Sequence, residues 1–237
     1  MISTTHAEKP IRKPRIDDTI KATVYADNSF RLYINGELVA VDSIAFVPHN
    51  VISVDILPAY PMTIAAMGID NADPKTGMEY ADTNIGDGGF ILKLGDGTVS
   101  NASWKAKRIS WGPIDGDTSN PRIKDTPLPK DWFTIGFDDS AWPHATEFTE
   151  EEVGPKDPFY EHDFKGAKFI WSEDVKLDNV VLFRTVVQSP PDGKARPDFR
   201  GLSDVVPAAG EGRSNGRRRG GGKAGRRVRD DERPSRG

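Results

Sequence analysis

The side-chain oxygens of this chain gather in short acidic and amide clusters, and the chemistry such clusters could serve is the holding of a hard cation. Asp82-Thr83-Asn84-Ile85-Gly86-Asp87-Gly88 puts three of them in one short segment, as the first half of an EF-hand loop does. The residue that would close that loop is Lys93, which cannot ligate, so the EF-hand pattern fails. Asp115-Gly116-Asp117-Thr118-Ser119-Asn120 repeats the alternation but reaches Thr126 where a bidentate Glu is needed, and Asp70-Asn71-Ala72-Asp73 is a shorter array. Asp82, Asn84, Asp87, Asp115 and Asp117 are therefore the candidate metal ligands, with structural calcium as the only cofactor considered. Ordinary turns account for the same residues, because Asp and Asn side chains cap nearby backbone groups.

Catalytic chemistry finds less support. General acid–base work needs two carboxylates held across a cleft, a relation that a sequence does not display. Glu147, Glu150, Glu151, Glu152 and Asp157 form an acidic run without apolar periodicity, the pattern of a solvated face or loop. His6, His49, His144 and His162 lack metal-ligand spacing and read as structural or exposed. No serine sits in a Gly-x-Ser-x-Gly elbow, and no glycine-rich element matches a phosphate loop. Gly86-Asp87-Gly88-Gly89 reads as a tight entry into the strand at Phe90. With zero cysteines there is no disulfide framework, thiolate metal site or cysteine nucleophile. No residue is assigned a catalytic role.

Aromatic residues make the better case for a ligand. Trp104 and Trp111 bracket Lys105 to Ser110, while Tyr60, Tyr80 and Tyr160 lie in loop-like surroundings. Sugar rings stack their apolar faces on exposed aromatic planes, which makes Trp104, Trp111, Tyr60 and Tyr80 the candidate ligand-binding residues. Being an odd number of positions apart, the two tryptophans point to opposite faces of a continuous strand, so one belongs in a core and the other outside it.

The elements that must carry these residues are strands. Phe30, Leu32 and Ile34 alternate along one run, Leu38 and Ala40 lie on a second, and Asn35-Gly36 between them accepts the positive φ angles of a tight hairpin. Asp96-Gly97, between Phe90–Leu94 and Thr98-Val99, is a second hairpin signal. Strands are expected at 23–26, 30–34, 38–41, 51–57, 62–69, 89–94, 103–109, 168–171 and 180–187. The only helical turn expected is near Asp138–Trp142, and the proline-broken stretch from Ile114 to Lys130 reads as one long surface loop. Together these features predict an all-β fold, an antiparallel β-sandwich or jelly roll, spanning 20–188. An extended lead-in (1–19) and a Gly/Arg-rich segment (189–237) too poor in large apolar residues to order flank it.

Charge divides along the same line. The net −4 of the 237 residues conceals 13 Lys and Arg against 7 Asp and Glu from Pro190 onward, leaving the remainder strongly acidic. The acidic part repels nucleic acid and anionic membrane. The basic tail lacks interleaved aromatics to stack on bases, so no specific nucleic-acid partner is expected. No run is long enough to span a bilayer, and the opening residues lack the apolar segment of a signal peptide. An extracellular or cell-surface address is expected only if the chain is a fragment without its leader.

The order of the pieces resembles a known family. Ala26-Asp27-Asn28-Ser29-Phe30-Arg31-Leu32-Tyr33-Ile34-Asn35-Gly36 is similar to the first hairpin of galactose-binding-like β-sandwich domains, the jelly rolls attached to many glycosidases. Trp132-Phe133-Thr134-Ile135-Gly136-Phe137-Asp138-Asp139-Ser140-Ala141-Trp142 resembles their tryptophan-flanked Phe-Asp-Asp-Ser element, and Phe169-Ile170-Trp171-Ser172 followed by Phe183-Arg184 their closing strands. Physically, Phe137 and Trp142 are expected to plug a corner of the sandwich core while Asp138 or Asp139 accepts hydrogen bonds from the next turn. The resemblance implies recognition of sugars by loops at one end, and it transfers no ligand-binding position by motif. The expectation is a non-catalytic module that binds a carbohydrate, glycoprotein or surface polymer, accessory to a larger secreted or cell-surface assembly. A protein-interaction domain of the same fold and a small polysaccharide hydrolase or lyase are the alternatives.

Overall fold

The computed structural model describes residues 13–42 and 50–200. Thirteen strands run through them: β1 (Ile20–Asp27), β2 (Ser29–Ile34), β3 (Glu37–Val41), β4 (Ile52–Ile56), β5 (Met62–Ile69), β6 (Met78–Glu79), β7 (Asn84–Ile85), β8 (Gly89–Leu94), β9 (Lys105–Trp111), β10 (Lys124–Asp125), β11 (Thr146–Phe148), β12 (Phe169–Trp171) and β13 (Asp178–Val187). One sheet has the order β11-β12-β8-β1-β4 and the other β10-β9-β13-β5-β2-β3, while β6 and β7 form a separate hairpin. Every pairing is antiparallel. This is the expected all-β sandwich, consistent with a jelly roll, and each of the nine expected strands is present within a few residues of its expected limits.

Alternation explains the inner core. Ala22, Val24 and Ala26 of β1 and Phe90, Leu92 and Leu94 of β8 meet Phe30, Leu32 and Ile34 of β2, Ile64 and Ala66 of β5, and Val181 and Phe183 of β13. Each sheet has part of its outer face covered as well. Residues 149–169 lay Val153, Phe159 and Phe164 over Tyr25 and Ile91, and residues 132–142 lay Trp132 and Trp142 over Ala65, Met67 and Leu182. Met62–Ile69 is consequently buried along almost its whole length, which is why it reads as an unbroken apolar run.

The Asn-Gly hairpin forms as expected, with φ of +51° at Asn35 and +89° at Gly36. Asn35 does more than turn the chain. Its Nδ2 donates to Ala59 O (2.9 Å) and its Oδ1 accepts from Thr63 N (2.8 Å), fastening the turn to the start of β5. Replacing Asn35 by Ala removes both bonds and the side chain that eases a left-handed backbone, so a loss of about 2 kcal/mol is expected in chemical denaturation. The return strand departs from simple parity. Leu38 pairs with Tyr33 but Ala40 pairs with Leu32, and the extra residue of this bulge turns Leu38 to solvent. At Asp96-Gly97 the chain also reverses, Leu94 N donating to Thr98 O (2.8 Å) with Gly97 at φ +95°, although the return is one bridge, Lys93 to Val99.

Four local expectations need correction. Residues 138–142 form turns instead of a helical turn, and the one α-helix among the described residues, α1 (Glu150–Val153), lies in the acidic run. Thr149 caps it by accepting from Glu152 N while Glu152 accepts from Thr149 N, a capping box that Thr-Glu-Glu-Glu spells out, and the glutamates suit the positive end of the helix dipole. The stretch from Ile114 to Lys130 is not all loop, since Lys124 and Asp125 pair with Trp111 and Ser110 as an edge strand. Finally, Trp142 and half-buried Phe137 do not enter the space between the sheets; they cover the outer face of the β5–β13 sheet, while Asp138 does accept from Ser140 N (3.0 Å) as expected of the turn.

Of the flanking segments, 13–19 includes a single 3₁₀ turn at Ile16–Asp18. Residues 189–200 continue along the sandwich, with Pro191 beside Gly97 and Arg200 Nη2 donating to Tyr60 O (3.2 Å). Residues 1–12 and the basic tail from Gly201 lie outside the described residues.

Candidate functional site

Trp111 ends β9 at a place where three strands converge, paired to Lys124 of β10 on one side and Asp178 of β13 on the other. The Arg108 guanidinium stacks on its indole, with the central carbon 4.0 Å from the ring centroid, and Lys124 Nζ lies 5.3 Å from it. Arg108 is held in turn by buried Asp178 (Nη1 to Oδ1, 3.0 Å), whose Oδ2 accepts from Ser172 Oγ (2.7 Å) and Asp174 N (3.2 Å). Burial raises the Asp178 carboxyl above its ordinary pKa, and the hydrogen bonds from Ser172 and Arg108 pull it back down. The chain Ser172–Asp178–Arg108–Trp111 thus fixes the plane of a half-buried indole before any ligand arrives.

Beside the indole is a cavity of about 250 Å³ whose lining includes Lys107, Arg108, Thr126, His144 and Glu173. The His144 ring bonds Ser103 O through Nδ1 (3.2 Å), which orients the imidazole at the rim. An aromatic plane, a hydroxyl, an imidazole and groups of both charges, with Arg108 already paired to Asp178 and Glu173 sharing the cavity wall with Lys107, suit stacking and hydrogen bonding to a polar ring. A larger recess of about 570 Å³ lies along Glu147, Glu150, Glu151 and Lys168. Its aromatic residues, Phe148 and Phe169, are committed to the cluster over β1 and β8, so it presents acidic groups without a platform.

The other aromatic candidates fare differently. Trp104, 2 % exposed, lies in the inter-sheet core with its Nε1 donating to Val99 O (3.1 Å), and its ring is not available as a platform. Parity put the two tryptophans on opposite sides, and the structure decides which is inside: Trp104 is core and Trp111 is not. Tyr60 is half-buried, its hydroxyl donating to Asp96; burial and that carboxylate push its pKa up. Tyr80 is 67 % exposed at the tip of the β6–β7 hairpin, and the charge of Glu79 raises its pKa. Just before that hairpin Gly77 packs against Gly112, the residue after Trp111, and no residue of the hairpin lines the cavity.

Among the proposed metal ligands, turn chemistry explains most. Asp117 Oδ1 accepts from Ser119 N and Oγ and from Asn120 N, and these bonds lower its pKa. Asp82 accepts from Thr76 Oγ1, Asn84 is exposed in β7, and exposed Asp115 takes a φ of +58° in its turn. Asp87 is half-buried, and its charge reaches the carboxylate of Asp70. Among the described residues no three Asp, Glu or His side chains converge on a point that a metal ion would occupy. Sequence reasoning did not single out Lys107, Arg108, Lys124 or Asp178. The neighbours Arg108 and Trp111 on one strand were a visible signal, whereas Asp178 reaches them only through the pairing of β13.

These features define a two-sheet antiparallel sandwich with a cation-flanked indole at the end of a strand. No family model, curated protein or solved structure matches the chain. No helix among the described residues is long and apolar enough to cross a membrane.

Proposed function

We propose that this chain is a galactose-binding-like sandwich that binds a carbohydrate or surface polymer without transforming it, as an accessory module of a larger assembly. The observation that carries the reading is Trp111, a half-exposed indole held in place by Arg108 and Asp178 at the wall of a ring-sized cavity. The motif order of the family also supports it, because the tryptophan-flanked element and the Phe-Arg pair are held together by Arg184, as described below.

A glycan array of neutral, uronate and sulfated oligosaccharides, followed by calorimetry on the best ligand, tests this. Trp111→Ala is expected to weaken binding at least tenfold, about 1.4 kcal/mol, with the fold intact by circular dichroism. Tyr80→Ala is expected to leave it within twofold. Affinity should fall as salt rises if the charged groups take part. Binding unaffected by Trp111→Ala, or a partner protein captured without competition by sugar, would assign the sandwich to a different role.

A further inference from the structure

A second site lies where β1 and β5 end. Asp27 closes β1, Asp70 follows β5, Glu79 is in β6 and Asp87 precedes β8; the first three are buried. Asp70 is held there by its backbone, Asp70 N donating to Asn179 O (2.8 Å) and Asn71 N to Asn28 Oδ1 (2.6 Å), so its side chain has no retreat to water. It is 4 % exposed and lies within hydrogen-bonding reach of the Glu79 carboxyl, and no other group offers a donor to either oxygen of Asp70 or to Oε1 of Glu79. The backbone closes in as well. A Cβ on Gly86 would lie 1.9 Å from Asp70 Oδ2, so only glycine allows this approach.

Two carboxylates facing each other away from water cannot both stay ionised without a counter-charge. The charges that act most on Asp70 are those of Glu79, Asp27 and Asp87, all of its own sign. A shared proton would neutralise one of them and satisfy one oxygen pair. A divalent cation neutralises two and gives every donor-less oxygen a partner. An all-oxygen donor set selects a hard ion. We propose that Asp70 and Glu79 together hold a calcium-class divalent cation, with Asp27 and Asp87 as surrounding negative charge. Two side chains do not fill a calcium shell, and the remaining ligands come from backbone carbonyls and water, which such ions accept readily. The ion would tie the β6–β7 hairpin to the ends of β1 and β5. Of the arrays recognised in the sequence, only Asp70 and Asp87 belong to this place, and Glu79 belongs to none of them.

The titration of the ion-free protein supplies a contrast. Burial, then the Glu79 charge, raises the Asp70 pKa well above the ordinary value, and the nearby phenols of Tyr25 and Tyr80 are raised too, Tyr25 chiefly by burial and Tyr80 chiefly by Glu79. The ion-free folded chain therefore holds the Asp70 proton to a higher pH than the unfolded chain does. Without the ion, stability is greatest in acid and falls as pH rises from the ordinary Asp range through the raised value. A bound cation removes that fall.

Thermal melts of the chelator-treated full chain at pH 7.5 test the proposal, with CaCl₂, MgCl₂ and NaCl matched for ionic strength, alongside terbium luminescence for stoichiometry. Calcium at a hundredfold excess over its Kd is expected to raise Tm by roughly 5–10 °C, magnesium less and sodium not at all, with one ion bound per chain. Asp70→Asn and Glu79→Gln are each expected to abolish the calcium shift while both variants remain folded. A calcium shift that persists in both variants places the ion elsewhere and overturns the proposal. The absence of any calcium shift, with Asp70→Asn raising Tm in metal-free buffer and flattening its pH dependence, identifies a proton-sharing pair and overturns it equally.

Discussion

Arg184→Ala is expected to lower stability by about 3 kcal/mol and Tm by roughly 10 °C. Arg184 is 1 % exposed on β13, its charge taken up by an entire covering segment. Its Nε donates to Asp139 Oδ2 (2.8 Å), Nη1 to Trp132 O and Nη2 to Thr134 O (3.2 Å), and Phe137 lies over the guanidinium at 5.2 Å. Removing it leaves Trp132 O and the Asp139 carboxylate without this donor, leaves Thr134 O with the long bond from Phe137 N alone, and loosens Trp132 and Trp142 from the outer face of the sheet. The lower end of the range for broken buried ion pairs applies because Asp139 retains some contact with water. Arg184→Lys should recover less than half of the loss, since one ammonium cannot span three acceptors in a plane. Denaturant melts measure both variants. An Arg184→Ala variant within 1 kcal/mol of the parent would show that residues 132–142 hold to the sheet by apolar contact alone.

Trp171→Ala is expected to cost about 3–5 kcal/mol, the range for deleting a large aromatic from a packed core. The indole is fully buried, donates Nε1–H to Asp178 O (2.7 Å) and packs on Phe183 with centroids 5.7 Å apart. Its special feature is that backbone comes down on both sides. A Cβ on Gly68 would lie 2.5 Å from Trp171 Cζ3, and one on Gly88 2.4 Å from Cε2. Gly88→Ala should therefore destabilise the parent by about 1–3 kcal/mol through overpacking, and far less in a Trp171→Leu background. Additive losses in that cycle would break the argument, because they would mean that the glycine is needed for backbone conformation and not for room. The adjacent Ser172 holds Asp178, so Trp171→Ala should also weaken any ligand bound beside Trp111.

The family-like motifs acquire a physical meaning from these two residues. Phe-Asp-Asp-Ser and Phe-Arg lie more than 40 residues apart in the chain, yet Asp139 and Arg184 form one ion pair, so the motifs are halves of one fastener. Nothing local announces that. A buried arginine in an apolar strand is a conspicuous anomaly, but its partner can be named only when the covering segment is seen to fold back. The capping box at Thr149–Glu152 was a different kind of miss, entirely legible and obscured by reading a run of glutamates as charge alone.

Strand positions, the two hairpin reversals and the opposite fates of Trp104 and Trp111 were present in the order of the residues, because alternation and turn chemistry act over neighbours a few positions apart. What awaited the folded chain was every property that depends on distant segments meeting. Trp111 becomes a platform because Asp178 arrives from another strand to brace Arg108, Trp142 covers a sheet from outside because Arg184 anchors its segment, and Asp70 loses its water because Glu79 and Gly86 close over it. Burial and charge contact are long-range outcomes of topology, and they decide which of many similar side chains have work to do.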